Sequence, residues 1–356
     1  MKIAALLVGL LVSPQAYGFA PSQKSSSLLS RPTNNNVVFS QGNIPAPITT
    51  SGNTPCIFSS GHSISSSSRL FMGWGPEPIW STCTVTSNIQ ACPSGSCVSL
   101  KIDVPDGNDF LYPGQYVQVL PSDAAADTKP LFLAIASAPT GTPPKPVRPS
   151  AKKTSEADSA AGPDETSSPT PATWEFLVKK TDNNGWLTSL PAQATVSVSQ
   201  PMGSGFPIAD NIEGFKYDFP TQNILLFATG SGIAPIRSAI ESRQLNVARP
   251  DSGGRTCTLY YGVRTPDDMS YVSKFAEWEE MGVQVVPVVS QPDVPCESGA
   301  KWGGRTGYVQ NALEEDGVPI PRNSGALLCG VKGMTESVKS MLMEAGVFEG
   351  RCLTNF

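Results

Sequence analysis

Ile224-Leu225-Leu226-Phe227-Ala228 is an unbroken apolar run that ends directly on Thr229-Gly230-Ser231-Gly232-Ile233-Ala234-Pro235. An apolar run of this length reads as a strand covered on both faces, the condition of a parallel sheet. Parallel strands need long crossovers, usually helices, so this segment commits the chain around it to an α/β architecture. Glycines at the strand end permit a tight turn and let a pyrophosphate approach the backbone. The helix that follows offers free N–H groups and the positive end of its dipole. Pro235 suits the first helical turn, where its missing N–H costs nothing. A Gly-x-Gly alone is a weak signal, and an ordinary glycine turn is the alternative; the strand–turn–helix setting makes this one a candidate nucleotide loop.

The pattern continues downstream. Strands are expected over Thr256–Tyr261, Val283–Val289 and Ala326–Cys329, and helices over 235–244, Tyr271–Met281, Gly307–Glu314 and Thr335–Ala345. This alternation predicts a doubly wound α/β nucleotide-binding domain over residues 216–356. Upstream the period changes. Cys83–Thr86, Val98–Ile102 and Tyr116–Val119 alternate apolar and polar residues between Gly and Pro breaks, the signature of a small antiparallel β-barrel. The expected fold is therefore α+β with two domains, the barrel over 73–215 coming first. Within it, residues 140–173 hold seven Pro and Val147 as their sole large aliphatic residue, which predicts a disordered insert between two strands.

Charge and rare residues exclude several functions. Residues 1–72 carry Lys2, Lys24, Arg31 and Arg69 and no acid, so the remaining chain has 25 − 4 = 21 basic and 30 acidic side chains. An acidic body disfavours nucleic acid, whose binding needs clustered cations. His62, inside the leader, is the sole histidine of the chain. A protein processed beyond it has no Ser-His or Cys-His catalysis, and no metal site is expected. Cys92 and Cys97 form a C-x4-C pair without the third cysteine of a plant-type iron–sulfur motif, and read as a turn.

Lys2, an apolar run to Val12 and small residues at Ala16 and Gly18 read as a signal peptide over 1–18, too short to span a bilayer. Phe19-Ala20-Pro21 then opens a Ser-rich, acid-free stretch, 19–72, of transit-peptide character. The arrangement resembles the bipartite presequences of algae with complex plastids and implies a plastid destination; secretion with a Ser-rich leader is the alternative. No transmembrane segment is expected in the processed protein.

Thr-Gly-x-Gly-Ile-x-Pro resembles the nicotinamide-nucleotide loop of the ferredoxin–NADP reductase superfamily, and the other motifs agree with it. Tyr260-Tyr261-Gly262-Val263-Arg264 resembles the family's next strand, and Cys329-Gly330-Val331-Lys332-Gly333-Met334 its Cys-Gly-x-x-x-Met segment. In the barrel, Pro113-Gly114-Gln115-Tyr116-Val117, Gly185-Trp186-Leu187-Thr188 and Pro201-Met202-Gly203-Ser204-Gly205-Phe206 resemble flavin-domain segments. Within the superfamily the chain resembles the plant "fruit protein" branch. The resemblance implies an NAD(P)H-dependent flavoprotein oxidoreductase with FAD and NAD or NADP, passing hydride between nicotinamide and flavin and electrons to an unidentified acceptor. It implies nucleotide contacts from Thr229, Gly230, Ser231, Gly232, Ile233 and Pro235, with Tyr261, Gly262 and Arg264 on the adenosine side. Gly330 and Met334 fall beside the nicotinamide. Arg264 suits a 2′-phosphate, whereas Asp267 and Asp268 repel one, so NAD and NADP stay open.

The family's flavin motif, Arg-x-Tyr-Ser, is absent: Leu131, Leu133 and Ala134 occupy its three positions. A cation and two hydroxyls are missing, so the remaining contacts fall to Leu133, Ala134 and Ile135, the Gly185–Thr188 helix start, and Gly203 and Ser204. The loss supports a second reading, a flavin-free NAD(P)-binding sensor or scaffold module. Cys329 is a candidate catalytic residue at the nicotinamide, or a small buried hydrophobe. Phe356 is a candidate cover for the flavin face, or a plain apolar anchor.

Overall fold

Strands β1 (Trp80–Gln90), β2 (Cys97–Val104), β3 (Tyr116–Pro121), β4 (Leu131–Ala134), β5 (Ala172–Lys179) and β6 (Thr195–Ser199) form one antiparallel sheet, ordered β4-β3-β6-β1-β2-β5. Its edges meet. Ile135 bridges Phe176, and the Ala136 N–H donates to the Glu175 carbonyl at 2.7 Å. The sheet is thereby nearly closed into the expected barrel. Strand alternation explains its core: Val98, Leu100, Ile102 and Val104 of β2 and Val117 and Val119 of β3 are buried, with Phe110 edge-on to Trp174 at 5.9 Å. Residues 91–96 form the hairpin loop between β1 and β2, with Cys92 in the loop, Cys97 at the start of β2 and Gly95 at φ +65°.

The computed structural model describes residues 77–142, 168–208, 219, 222–247, 255–296, 299 and 301–355. These belong to one compact unit, Gly73–Phe356. The expected leader (1–72), the span 143–167 and Phe356 lie outside the described residues. The expected insert bounds of 140–173 are too wide. β5 begins at Ala172, and the flanks are tied to the 106–110 loop: Gly141 N–H to the Phe110 carbonyl at 2.8 Å, Gly107 N–H to the Thr170 carbonyl at 2.8 Å. Pro169 and Pro171 give this strand entry the composition of the insert.

The second sheet is parallel throughout: β7 (Asn223–Thr229), β8 (Thr256–Val263), β9 (Val283–Val289), β10 (Arg305–Thr306), β11 (Ser324–Cys329) and β12 (Cys352–Thr354), ordered β10-β9-β8-β7-β11-β12. The helices of the described residues are α1 (Gly185–Thr188), α2 (Ile233–Glu241), α3 (Phe275–Glu280), α4 (Val309–Asp316) and α5 (Lys332–Ala345). The expected helix over Tyr271–Met281 is shorter, because Tyr271 adopts φ +62° and only a 3-10 turn precedes α3. No helix among the described residues is long and apolar enough to cross a membrane.

Helix α2 is buried from Ile233 through Ile240, because it lies between the two sheets. Its Ile233, Ile236 and Ile240 share one apolar cluster with Cys92, Cys97, Ala136 and Leu177 of the barrel and Leu226, Leu259 and Leu327 of the parallel sheet. The glycine turn at its N-terminus is therefore fixed relative to the barrel as well as to its own sheet.

Candidate functional site

From β7 the chain builds outward through β8, β9 and β10, then returns to the other side of β7 to lay down β11 and β12. The reversal lies between β7 and β11, and ligands of such sheets bind at the strand C-termini at this switch point. The turn after β7 and the turn after β11 meet there. The Val331 N–H donates to Thr229 Oγ1 at 3.0 Å, and Met334, buried at the start of α5, packs its methyl toward Gly330. A Cβ on Gly330 would collide with Thr229 Oγ1.

The two loop glycines have different tasks. Gly230 is exposed, adopts φ +54°, and a Cβ there would meet nothing within 4 Å. It supplies the left-handed turn and an open approach to the backbone. Gly232 has φ −62°, and its Cβ would run into the Cys329 carbonyl and Gly330 Cα. A glycine at 232 lets the β11 turn close on the β7 turn. Ile233 and Pro235 are buried within α2, so their side chains serve packing; Ser231 is half-buried at the rim.

On the adenosine side, Tyr261 is corrected. It is fully buried, its hydroxyl accepts the Ser270 N–H at 3.2 Å, and its ring meets Phe275 edge-on. Strand alternation turns it into the core. Gly262 is buried against Val309 and Thr229, where a Cβ would be tight. Arg264 is 68% exposed at the end of β8, its Nε 3.5 Å from Asp268. Asp268 is held by hydroxyls from both domains: Ser94 at 2.8 Å and Ser96 at 3.0 Å from the barrel hairpin, and Thr265 at 2.9 Å. Burial alone would raise the Asp268 carboxyl; these hydrogen bonds and the Arg264 charge outweigh it and hold the group below its ordinary range.

Cys329 ends β11 with 6% exposure, and burial pushes its thiol up to about 12, with the neighbouring Asn355 amide acting in the opposite direction. Burial of Cys329 disfavours the thiolate a nucleophile needs. Its packing at the loop contact is its evident contribution.

On the barrel, Leu133 faces inward among the core residues and is 9% exposed, which corrects its expected place against a flavin ring. Ile135 is also buried, its N–H bound to the Gln115 carbonyl at 3.0 Å. The outward positions of β4 are Phe132, 60% exposed, and half-buried Ala134. Phe132 lies 5.7 Å from the Tyr116 ring, and Ala134 pairs directly with Tyr116. Gly203, at φ +79°, leaves room for the Tyr116 ring; Ser204 beside it is exposed. Tyr116, Phe132 and Ala134 thus make an apolar aromatic shelf on the outer face, which the sequence motifs do not reveal. Gln115 organises the turn below it, accepting from Leu111 and Tyr112 N–H and donating to the Gly203 carbonyl. Gly185 has open space around it, but α1 is a single turn whose Thr188 hydroxyl is taken up by the Asn184 and Gly185 carbonyls.

With this geometry in view, the family model described as "Oxidoreductase NAD-binding domain" matches residues 226–340. The chain is 30% identical over 289 residues to fruit protein pKIWI502 of Actinidia deliciosa, an alignment covering 79% of this chain and 76% of that protein. The chain belongs to the ferredoxin–NADP reductase superfamily. It is also 28% identical over 169 residues to a component of the Na(+)-translocating NADH-quinone reductase of Psychrobacter cryohalolentis, covering 46% of this chain and 37% of that polypeptide. Solved structures share the fold. One is a ferredoxin NADP+ reductase from Neisseria gonorrhoeae with bound FAD and NADP (TM-score 0.53, 14% identity, 78% of this chain and 98% of that one). Another is the cytochrome b5 reductase domain of Ulva prolifera nitrate reductase (TM-score 0.51, 14% identity, 78% and 97%).

As a member of the superfamily this chain is an NAD(P)H oxidoreductase, and it fastens its two domains with an ion cluster centred on a buried arginine. Arg237 of α2 donates to Glu175 of β5 at 2.5 Å and to Glu241 at 2.9 Å, and sits 4.7 Å from the centre of the Tyr271 ring. Lys101 of β2 completes the pairing of Glu175 at 2.8 Å. A lone arginine in a helix of isoleucines and alanines carries no recognisable motif, so only the packing reveals its place.

Proposed function

We propose that this reductase is a flavoprotein that moves a hydride from NADH or NADPH to FAD and passes electrons to a separate acceptor. The observation that carries the reading is the open side of Gly230 at the switch point, beside the N-terminus of α2. Loop N–H groups there fit a pyrophosphate, and the Tyr116–Phe132–Ala134 shelf fits a planar ring. The family relation and the cofactors of the gonococcal reductase support it. When bound, the cofactors supply the hydride chemistry, while the protein supplies position and electrostatics. The fixed α2 holds the loop at a constant offset from the barrel. The Thr229–Val331 hydrogen bond and the close Gly232–Cys329 approach hold the two turns of the crevice together.

The test is FAD and FMN titration of purified protein, followed by NADH or NADPH oxidation with ferricyanide. Flavin uptake with acceptor-dependent turnover is the expected result. Nucleotide binding without flavin uptake or turnover favours the flavin-free module, which the missing Arg-x-Tyr-Ser groups motivate.

The acid-free leader supports a plastid destination. A fluorescent protein fused behind residues 1–75 is expected in plastids of an alga with complex plastids. Its appearance in the medium would indicate secretion.

A further inference from the structure

Three asparagines are buried among the described residues, and two spend their amides on structure. Asn184 accepts the Thr181 N–H at 2.8 Å and donates to the Lys179 carbonyl at 2.7 Å. Asn223 donates to Ser324 at 2.8 Å and accepts from Thr256 at 2.8 Å. Asn355 does neither. It is 3% exposed, and both its Oδ1 and its Nδ2 are shielded from solvent without a hydrogen-bond partner. No other side chain among the described residues has two such orphaned atoms. Buried amides are nearly always paired, so an orphaned one calls for an explanation, and a bound partner is one.

Its position narrows the choice. Asn355 directly follows β12, the strand beside β11, and its amide neighbours the Cys329 thiol, on which it acts against burial. Its Cβ is 3.2 Å from where a Gly114 Cβ would stand, in the barrel turn that leads into Tyr116. The Ile135 N–H reaches the same turn through the Gln115 carbonyl, so the outward end of β4 at Ala134 is close by. Asn355 therefore sits at the seam of the two domains, beside Cys329 at the end of β11 and the Gly114 turn of the barrel. An asparagine amide presents a donor beside an acceptor. Its complement is a planar group with C=O beside N–H, as on the pyrimidine edge of a flavin or the carboxamide of nicotinamide.

We propose that Asn355 is a cofactor-binding residue that pairs with the amide-like edge of a ring bound at the domain seam, standing in for the hydroxyls that β4 lacks. The inference rests on the reductase reading above.

The experiment compares full-length wild type with Asn355→Leu and Asn355→Ala. It measures the melting temperature of the cofactor-free protein, FAD affinity by flavin fluorescence quenching, and NAD+ and ADP-ribose affinity by calorimetry. The apo melting temperature is expected to hold or rise in at least one variant, since an unpaired amide is removed. Affinity for FAD or NAD+ is expected to fall roughly ten- to hundredfold in that variant, as for a lost hydrogen bond that strands its partner. A fall for FAD identifies the flavin edge. A fall for NAD+ with ADP-ribose unchanged identifies the carboxamide. Unchanged affinities overturn the proposal, as does a loss of affinity that appears only with a lowered apo melting temperature in both variants. Wild type that takes up neither cofactor fails the reductase reading instead.

Discussion

The turn after β7 and strand β4 both occupy places where the family has a short motif, and they use them differently. The turn acts through its backbone. Gly230 sets the left-handed residue and Gly232 admits the neighbouring turn, so the letters specify the geometry directly. β4 acts through side chains, and there the register decides everything. A shift of one residue exchanges the two faces of a strand. Matching Leu133 to the family tyrosine puts a ring on the outside, whereas the barrel core claims Leu133 and turns Phe132 outward. A site built from backbone is legible in one dimension; a site built from side chains waits for the core to fix the register.

The largest effect is expected from substitutions that separate the two glycines. Gly232→Val places a branched side chain against the Cys329–Gly330 backbone and should cost about 3 kcal/mol or more, lowering the thermal midpoint of the α/β domain itself. Gly230→Ala should cost about 1–2 kcal/mol for its left-handed turn while weakening nucleotide binding. Equal melting temperatures for the two variants would erase the distinction.

Next comes the clamp. Arg237→Met strands Glu175 and Glu241 at the seam, although Lys101 keeps part of the pairing, and should cost about 2–4 kcal/mol by denaturant titration. Burial alone would raise the Glu175 carboxyl, but its hydrogen bonds and the charges of Lys101 and Arg237 hold it below its ordinary 4.5. Its folded value is thus depressed: the stabilisation is fully present above 4.5 and is lost as pH falls below that through the folded value. Wild type should lose more stability than Arg237→Met over this acid range. Parallel acid profiles would contradict the assignment.

Two changes in β4 sharpen the register argument. Leu133→Tyr restores the family's letter but forces a hydroxyl into the barrel core, and should destabilise by about 1–3 kcal/mol without improving FAD affinity. Phe132→Ala should leave stability within about 0.5 kcal/mol while weakening FAD roughly three- to tenfold. A Leu133→Tyr protein with tighter FAD would restore the family register.

The smallest expected effect is at Arg264. Asp268→Asn removes its partner charge and should raise the NADPH-to-NADH affinity ratio roughly three- to fivefold, the scale of one partly exposed ion pair. An unchanged ratio in calorimetry would remove Arg264 from the ribose site.

Much of the fold is readable in the amino acids alone. The apolar run at Ile224–Ala228, the alternation of strands and helices after it, and the barrel's period-two strands lead to the two-domain arrangement. The pieces that escape share a cause. Tyr261 belongs to a resembling motif yet faces the core, because adjacent strand positions alternate and the motif does not say which one turns outward. β5 and the flanks of the insert are hidden by prolines at a strand entry. Arg237 and Asp268 matter through contacts across the seam, with Glu175 and with Ser94 and Ser96, which are remote in sequence.

The central claim is that one protein holds a nucleotide at the β7 turn and a flavin against the barrel, close enough for hydride transfer. Anaerobic addition of NADH or NADPH to FAD-loaded protein, watched at the visible flavin band, tests it most directly. Rapid bleaching of the band in wild type, slowed or abolished in Gly230→Ala with FAD still bound, is the expected result. A band that persists in wild type while calorimetry shows the nucleotide bound would contradict the account.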